Sequence, residues 1–276
     1  MPTYLVTGAA GFIGSNLVRA LLERKEKVRG IDNFITGHRK NIEGLDHLDF
    51  VEGDVTDEGT LRQVIAGVDY VLHQAAIPSV PRSVDQPLAS HHANTTGTLH
   101  VLETARQSGT VKRVVYASSS SAYGDTPTLP KVETMPTQPR SPYAVSKLAG
   151  EQYASVYSHV FRLECVSLRY FNIFGPRQDP SSHYAAVIPK FIECALQRQP
   201  PPVFGDGKQS RDFTHVENAV EANLKACTAP DVAGETFNVA CGQSYDLLTL
   251  VHEINDILGT DVHPEHLPPR RGDVRD

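Results

Sequence analysis

The sequence predicts an α/β protein, a doubly wound parallel sheet followed by a smaller mixed C-terminal domain. Three observations carry that reading. Short apolar, β-branched runs alternate with longer amphipathic stretches up to about residue 175. A glycine-rich turn separates the first run from the first helical stretch. Beyond residue 175 the chain turns rich in proline and glycine and the alternation loosens. With 276 residues, 40% hydrophobic and 21% charged, there is material for one large or two modest globular domains.

Tyr4-Leu5-Val6-Thr7 reads as the first strand. Gly8-Ala9-Ala10-Gly11-Phe12-Ile13-Gly14 follows, then a helix to about Glu23. Strand, glycine turn and helix are the context of a dinucleotide fingerprint, so the first half reads as Rossmann-like. Glycine permits the tight turn and lets backbone N–H groups approach a pyrophosphate, and the helix N-terminus adds partial positive charge. The spacing is Gly-x-x-Gly-x-x-Gly, and a glycine-rich turn without a ligand is the plainer alternative. Strand two, Lys27 to Ile31, ends in Asp32. A carboxylate there suits the two hydroxyls of an adenosine ribose and repels the extra phosphate of NADP, so NAD is expected. Arg39 and Lys40 could answer that phosphate but read as a solvated basic loop.

Leu48 to Gly53 is strand three, with Asp54-Val55 placed to meet the adenine. A helix from Glu58 to about Ala66 leads to strand four, Val68 to His73. Gln74-Ala75-Ala76-Ile77 are mostly small, as a backbone passing close to a cofactor requires. His73 reads as a hydrogen-bonded histidine at a strand end. His91 and His92 lack a third ligand, so no metal is expected. Asn94 to about Gln107 reads as a long amphipathic helix. Strand five, Val111 to Ala117, ends in Ser118-Ser119-Ser120-Ser121-Ala122-Tyr123-Gly124. Ligands of open parallel sheets sit beyond the carboxyl ends of strands, so these serines face the reaction, unless they are only a polar turn.

Ser141-Pro142-Tyr143-Ala144-Val145-Ser146-Lys147 carries the candidate chemistry. Ser141 fits a helix cap and Pro142 a first turn. Tyr143 and Lys147, four residues apart, share one face. A lysine beside the phenol is expected to lower its pKa from about 10 and make a general base for a hydroxyl. A core tyrosine and a surface lysine would give the same spacing, and the surrounding motifs decide between the two.

In the second half, Val166 to Phe171 is strand six. Ala185 to about Gln197 reads as a helix, followed by a proline connector at Pro200-Pro201-Pro202. Glu217 to Cys227 is a helix, Thr236 to Ala240 a strand, and Tyr245 to Leu258 a helix with a broad buried face. A net charge of -6 offers no basic surface for nucleic acid. The four cysteines, Cys165, Cys194, Cys227 and Cys241, read as core thiols. No stretch resembles a signal peptide or reaches the ~18 apolar residues of a membrane span, so a reducing cytoplasm is the expected compartment.

These motifs resemble the extended short-chain dehydrogenase/reductases, and among them the nucleotide-sugar 4-epimerases acting on UDP-N-acetylglucosamine or UDP-glucose. Matching pieces cover nearly the whole length. They include His73 to Ala76, Ser79-Val80-Pro81-Arg82-Ser83, Leu168 to Arg177, Gly205-Asp206-Gly207, Arg211 to Val216 and Arg270 to Asp273. The resemblance implies NAD as cofactor, held by Gly8, Gly11, Phe12, Ile13, Gly14, Asp32 and Asn33. It adds Asp54, Val55, Gln74, Ala75, Ala76, Asn94 and Tyr170, with Tyr143 and Lys147 at the reactive end. Tyr143 is implied as base, Lys147 as its partner and a ribose ligand, and Ser119 as the serine at the sugar 4-oxygen, with Ser118 and Ser120 close competitors. Ser79 and Asn172 are implied at the sugar, Val187, Val203 and Phe204 around the uracil, and Arg211 and Arg270 as a diphosphate clamp.

The resemblance also implies two domains. Residues 1–175 bind NAD, with segments near 212–240 returning to them, and residues 176–276 bind substrate. Relatives continue for several tens of residues, and the position that gates bulky sugars is expected past Asp276. A homodimer is implied through helices near Leu99 to Arg106 and Lys147 to Phe161. The reaction expected is NAD-dependent 4-epimerisation of a UDP-hexose through a 4-keto intermediate. UDP-glucuronate 4-epimerase and nucleotide-sugar dehydratase or decarboxylase are the alternatives within the family. A non-catalytic NAD sensor is the alternative outside it, and would be expected to lack the Tyr/Lys pair.

Overall fold

The sheet is built outward from its first strand. β1 (Thr3–Thr7) pairs in parallel with β2 (Lys27–Asp32) after the chain crosses through α1 (Phe12–Glu23). The structure, a computed structural model, describes residues 1–180 and 186–268. β3 (Leu48–Glu52) extends the sheet beyond β2, and α2 (Glu58–Ile65) returns the chain to β4 (Tyr70–His73), on the other side of β1. α3 (Val80–Asp85), α4 (Pro87–His91), a π-helical turn (His92–Thr96) and α5 (Gly97–Ser108) lead to β5 (Arg113–Ser119). α6 (Pro142–Phe161) then leads to β6 (Glu164–Tyr170).

The remaining elements are β7 (Ile173–Phe174), α7 (Val187–Leu196), β8 (Pro202–Phe204), β9 (Ser210–Arg211), β10 (Thr214–His215), α8 (Val216–Thr228), β11 (Thr236–Val239), β12 (Tyr245–Asp246), α9 (Leu247–Leu258) and β13 (Glu265–Leu267). Among the described residues the main sheet has seven strands in the order β3-β2-β1-β4-β5-β6-β11, all parallel. The order reverses between β1 and β4, and a crevice opens there beyond the strand ends.

Alternate residues of each strand feed two separate cores. Val6, Val115 and Val166 pack on one face with Leu17 and Leu21 of α1 and Ala219 and Leu224 of α8. Leu5, Val114 and Cys165 pack on the other with Leu61 of α2, Leu102 of α5 and Ala154 of α6. A third core joins Phe191 and Ala195 of α7 to Val203, Leu247 and Val251. β11 pairs with β6 from Thr236 opposite Ser167 to Val239 opposite Tyr170, so a segment that follows α7 and β8 completes the main sheet.

The short strands β7, β8, β9, β10, β12 and β13 are absent from the sequence expectation, and three helical segments also differ from it. The helix expected to begin at Asn94 begins at Pro87 and passes through the π turn. Helix α3 is a single short turn with no readable periodicity. Leu247, not Tyr245, starts α9, because Tyr245 and Asp246 pair with β9 and the Asp246 carboxylate caps the helix by accepting from Thr249 N at 2.7 Å. Cys165, Cys194 and Cys227 are buried, but Cys241 is exposed just past the end of β11, which corrects its reading as a core thiol. No helix among the described residues is long and apolar enough to cross a membrane.

His73 is fully buried, 2.7 Å from Thr7 Oγ1 through Nδ1 and 3.0 Å from Thr98 Oγ1 through Nε2. The Thr7 hydroxyl already accepts from the amides of Gln74 and Ala75, so its proton goes to Nδ1. The Thr98 hydroxyl donates to Asn94 O, so it accepts from Nε2–H. The ring is therefore neutral and structural. Burial, helped by the Lys147 charge, lowers its pKa from 6.5 to about 3. Between those values the unfolded chain binds a proton that the native one does not, so stability falls as the pH drops through that window. In urea titrations from neutral pH to pH ~4, His73→Gln should lose less stability than the wild type. Equal slopes would contradict the assignment.

Candidate active site

The crevice at the sheet's switch point encloses about 1140 Å³, room for more than one small molecule. Its floor is the glycine turn. Gly8 has φ +67°, and a Cβ on it would lie 2.9 Å from Ala75 N. A Cβ on Gly14 would lie 2.0 Å from Gly8 O, and one on Gly11 3.1 Å from the same oxygen. The loop thus folds back on itself and rests against the segment after β4, and only glycine fits at its tightest point. Gly8, Gly11, Phe12, Ile13 and Gly14 all line the crevice. No side chain caps α1, so its first amides are open to an anion, as a pyrophosphate requires.

At one end stand Asp32, Asn33, Asp54 and Val55. Asp32 Oδ2 accepts from Ala10 N at 2.9 Å and Oδ1 from Phe34 N at 2.8 Å. Burial nevertheless outweighs these bonds and raises its pKa. Donors from a ribose would complete the hydration it has lost. Burial also pushes Asp54 up, but bonds from Thr56 and Asn33 prevail and hold it below the usual range. Arg39 pairs with Glu52 at 2.5 Å and lies 4.3 Å over the Phe34 ring, so it is engaged elsewhere than at a ribose phosphate.

Gln74, Ala75, Ala76 and Tyr170 line the middle. The Tyr170 hydroxyl donates to Gln74 Oε1 at 3.1 Å, Gln74 Nε2 to Asn223 Oδ1 at 3.1 Å, and Asn223 Nδ2 to the Tyr170 hydroxyl at 2.6 Å. This closed ring fixes two lining residues. Asn223 gave no signal in the sequence beyond a polar residue on the inward face of α8. Asn94 is placed differently from its implied role. It is 1% exposed and off the crevice. Its amide grips Ile77, accepting from N at 2.7 Å and donating to O at 3.2 Å, and also donates to Ser146 Oγ at 3.1 Å. It shapes the wall from behind, from within the π turn.

The reactive end is assembled by α6. Ser141 Oγ accepts from Ala144 N at 3.1 Å, Pro142 occupies the first turn, and Ser83 Oγ accepts from Tyr143 N at 3.0 Å. The sequence assigned Ser83 no role of its own. Lys147 Nζ donates to Ala117 O at 2.8 Å. Burial lowers Lys147 from 10.5 to about 8. Burial raises Tyr143, and the hydroxyl of Ser119 is what pulls it back down. This corrects the expectation that the lysine depresses the phenol. In this state desolvation wins, and the lysine is engaged by a carbonyl. Ser119 Oγ also accepts from Ser121 N at 3.2 Å and Ser121 Oγ at 2.9 Å. Ser118 is directed away, donating to Glu151 Oε2 at 2.8 Å. Ser120 lines the crevice as well.

Ser79, Asn172 and Arg211 line the opposite wall. Ser79 caps α3 with φ 122°, a conformation side chains rarely adopt. Asn172 donates to Asp212 O at 3.0 Å. Asn172 and Arg211 also border an adjoining pocket of about 240 Å³ that contains Val187, Phe204 and Phe213. Val203 is not in it. It is fully buried in the core between α7 and α9, because neighbouring residues of β8 point to opposite sides. Arg270 lies outside the described residues.

Residues 4–240 match the model of the NAD dependent epimerase/dehydratase family. A UDP-glucose 4-epimerase of Mycolicibacterium smegmatis is 40% identical over 277 residues, covering 98% of this chain and 87% of that protein. A solved UDP-N-acetylglucosamine 4-epimerase from Methanobrevibacter ruminantium M1, in complex with UDP-N-acetylmuramic acid, is similar with TM-score 0.94 and 39% identity, over 99% of this chain and 87% of that one. A Thermus thermophilus UDP-glucose 4-epimerase in complex with NAD gives TM-score 0.91 and 35% identity, over 99% and 88%.

The glycine turn makes an ordered prediction. Gly14→Ala drives a methyl into a backbone carbonyl and should cost about 1–3 kcal/mol or more, the scale of overpacking. Gly11→Ala needs a shift of only a few tenths of an ångström and should cost less. Urea unfolding of the two variants checks the order, and a Gly14→Ala protein as stable as the wild type would contradict it.

Proposed function

As this chain belongs to the NAD dependent epimerase/dehydratase family, we propose that its crevice holds NAD and a UDP-hexose end to end and inverts the sugar at C4. The observation that carries this is the make-up of the reactive end. Half-buried Tyr143 and buried Lys147 stand with Ser119, and the next positions are Ser120, Ser121 and Ala122. A dehydratase needs a further acid and base at the sugar, and serine hydroxyls have no accessible pKa for that work. Among the described residues, the carboxylates lining the crevice are Asp32, Asp54, Asp179 and Asp212. Asp32 and Asp54 are bonded at the far end, Asp179 lies 3.1 Å from His38 Nε2, and Asp212 accepts from the amides of Cys241 and Gly242 at 3.0 and 2.6 Å.

The residues present fit the cofactor: the glycine turn and open α1 amides for its pyrophosphate, Asp32 for its ribose, and the small-residue wall of Ala75 and Ala76 beside it. When bound, NAD supplies the acceptor and donor of the C4 hydride. Every other part falls to side chains. Tyr143 Oη takes the proton of the 4-hydroxyl, with the Ser119 hydroxyl bonded to the same oxygen. Lys147, cationic below about pH 8, lies one turn from Tyr143 on the same face of α6 and would hold the cofactor's ribose. The 4-keto sugar then turns while Arg211 holds the diphosphate and the pocket of Val187 and Phe204 holds the uracil. Tyr143 returns the proton on the other face.

In this reading residues 1–175, with 212–240, form the cofactor part and the segments from 176 onward the substrate part. UDP-N-acetylglucosamine and UDP-glucose, with their 4-epimers, are the first substrates proposed. All four cysteines are free, which agrees with work in a reducing cytoplasm. The protein should act as a homodimer through α5 and α6. Val145, Tyr153, Val156 and Val160 leave an apolar stripe exposed on α6, at spacings that share one helical face.

A panel of UDP-glucose, UDP-N-acetylglucosamine, UDP-glucuronate and dTDP-glucose, read by product chromatography, tests the reaction. The 4-epimer of a UDP-hexose is the expected main product; a 4-keto-6-deoxy sugar or UDP-xylose would overturn the proposal. Tyr143→Phe should keep the fold and bound NAD and lose ~10²-fold or more in kcat. Near-normal turnover would remove Tyr143 from its role. Light scattering should give twice the chain mass, and Val156→Asp with Val160→Asp should halve it. A wild-type monomer at micromolar concentration would contradict the dimer.

A further inference from the structure

Behind the reactive serines lies a closed polar cluster that the mechanism above does not use. Glu151 sits on α6 one turn beyond Lys147, on the face that also carries Tyr143. Arg169 sits on β6. The two residues are 3% and 4% exposed, and neither lines the crevice. Arg169 Nη2 donates to Glu151 Oε1 at 2.5 Å and Arg169 Nε to Glu151 Oε2 at 2.9 Å, a two-pronged pairing that suits a planar guanidinium. Glu151 Oε2 also accepts from Ser118 Oγ at 2.8 Å. Arg169 Nη1 donates to the Tyr123 hydroxyl at 2.8 Å, and that hydroxyl donates to Asn238 Oδ1 at 2.7 Å.

Ser118 and Tyr123 bracket the turn that holds Ser119. Both ends of that turn are therefore tied to one ion pair, and the pair's other anchor is the helix that carries Tyr143 and Lys147. A buried ion pair is a poor source of stability, since desolvation of both charges offsets their attraction and apolar residues of similar volume do as well. What it supplies is direction. Its bonds have fixed angles, where an apolar contact tolerates sliding.

We propose that Glu151 and Arg169 are positioning residues, which set the Ser119 hydroxyl against the Tyr143 phenol by locking the β5 turn to α6. The inference rests on the 4-epimerase function proposed above. A sugar hydroxyl must fit between two oxygens carried by different elements, and an error of about 1 Å there costs on the order of 10²-fold in rate. Stability and rate should thus separate in suitable variants.

The experiment compares the wild type, Glu151→Gln, the double variant Glu151→Met with Arg169→Met, and Ser118→Ala, on the UDP-hexose that the wild type turns over. Each is measured for kcat, KM, bound dinucleotide and Tm. Glu151→Gln should lose roughly 10- to 100-fold in kcat, with KM changed far less and bound dinucleotide kept. The double apolar variant should regain the wild-type Tm within a few degrees, yet keep the low kcat. Ser118→Ala, which cuts the tether and leaves the ion pair whole, should lose kcat in the same direction at nearly unchanged Tm.

A double variant that regains both Tm and kcat would make the pair merely structural and overturn the inference. Should either charge variant fail to fold, Ser118→Ala decides, and its full kcat would overturn the inference as well. A folded wild type that turns over no sugar of the panel would instead remove the 4-epimerase function, and the positioning role with it.

Discussion

Helix α6 can carry the reactive end because residue 150 has no side chain. A Cβ there would lie 2.3 Å from the Tyr116 hydroxyl, so α6 rests directly on β5. That hydroxyl donates to Lys147 O at 3.2 Å, which fixes the helix along its axis as well as in height. Tyr143, Lys147 and Glu151 follow one another at intervals of four on the face that meets the sheet. Every distance between them and the end of β5 inherits this one backbone approach. A larger residue at 150 would lift the helix and carry the phenol, the ammonium and the buried carboxylate away together.

The same close packing sets the electrostatics. Burial raises the Tyr143 phenol and lowers Lys147 to about 8, so the packing disfavours charge on both. The buried Arg169–Glu151 pair is the opposite case. Its charges satisfy one another within a few ångströms, and the dry surroundings make their geometry stiff. Two adjacent serines join the two cases, Ser119 at the phenol and Ser118 at the ion pair.

Much of this arrangement was legible in the sequence because it depends on short-range rules. Gly8, Gly11 and Gly14 specify a turn by themselves, Asp32 follows at the end of the next strand, and Ser141-Pro142 announces the start of α6. What escaped depends on contacts between distant segments. Asn94 lies behind the wall within a π turn, and the next residue but two, Gly97, packs so near Val55 that a Cβ would come within 2.9 Å. Val203 was assigned to a pocket that its neighbour Phe204 borders, since a strand of three residues gives too little alternation to choose a face. The Tyr/Lys spacing predicted a depressed phenol, but the outcome was decided by how deeply both are buried, which no local pattern encodes. Cys241 reads as apolar by its neighbours Val239 and Ala240, yet lies past the last hydrogen bond of β11.

The return of β11 to the sheet has a consequence for how the chain reaches its native state. β6 finds its outer neighbour only after the segments that carry α7, β8 and α8 have been traversed. While the chain grows from its N-terminus, six strands can pair before β11 is made, and β6 presents an open row of amides and carbonyls. Closing that row demands a long loop, which slows the step far more than it weakens the product. The vulnerable species in synthesis is thus a six-stranded sheet in which β6, later covered by β11, is open as well as β3.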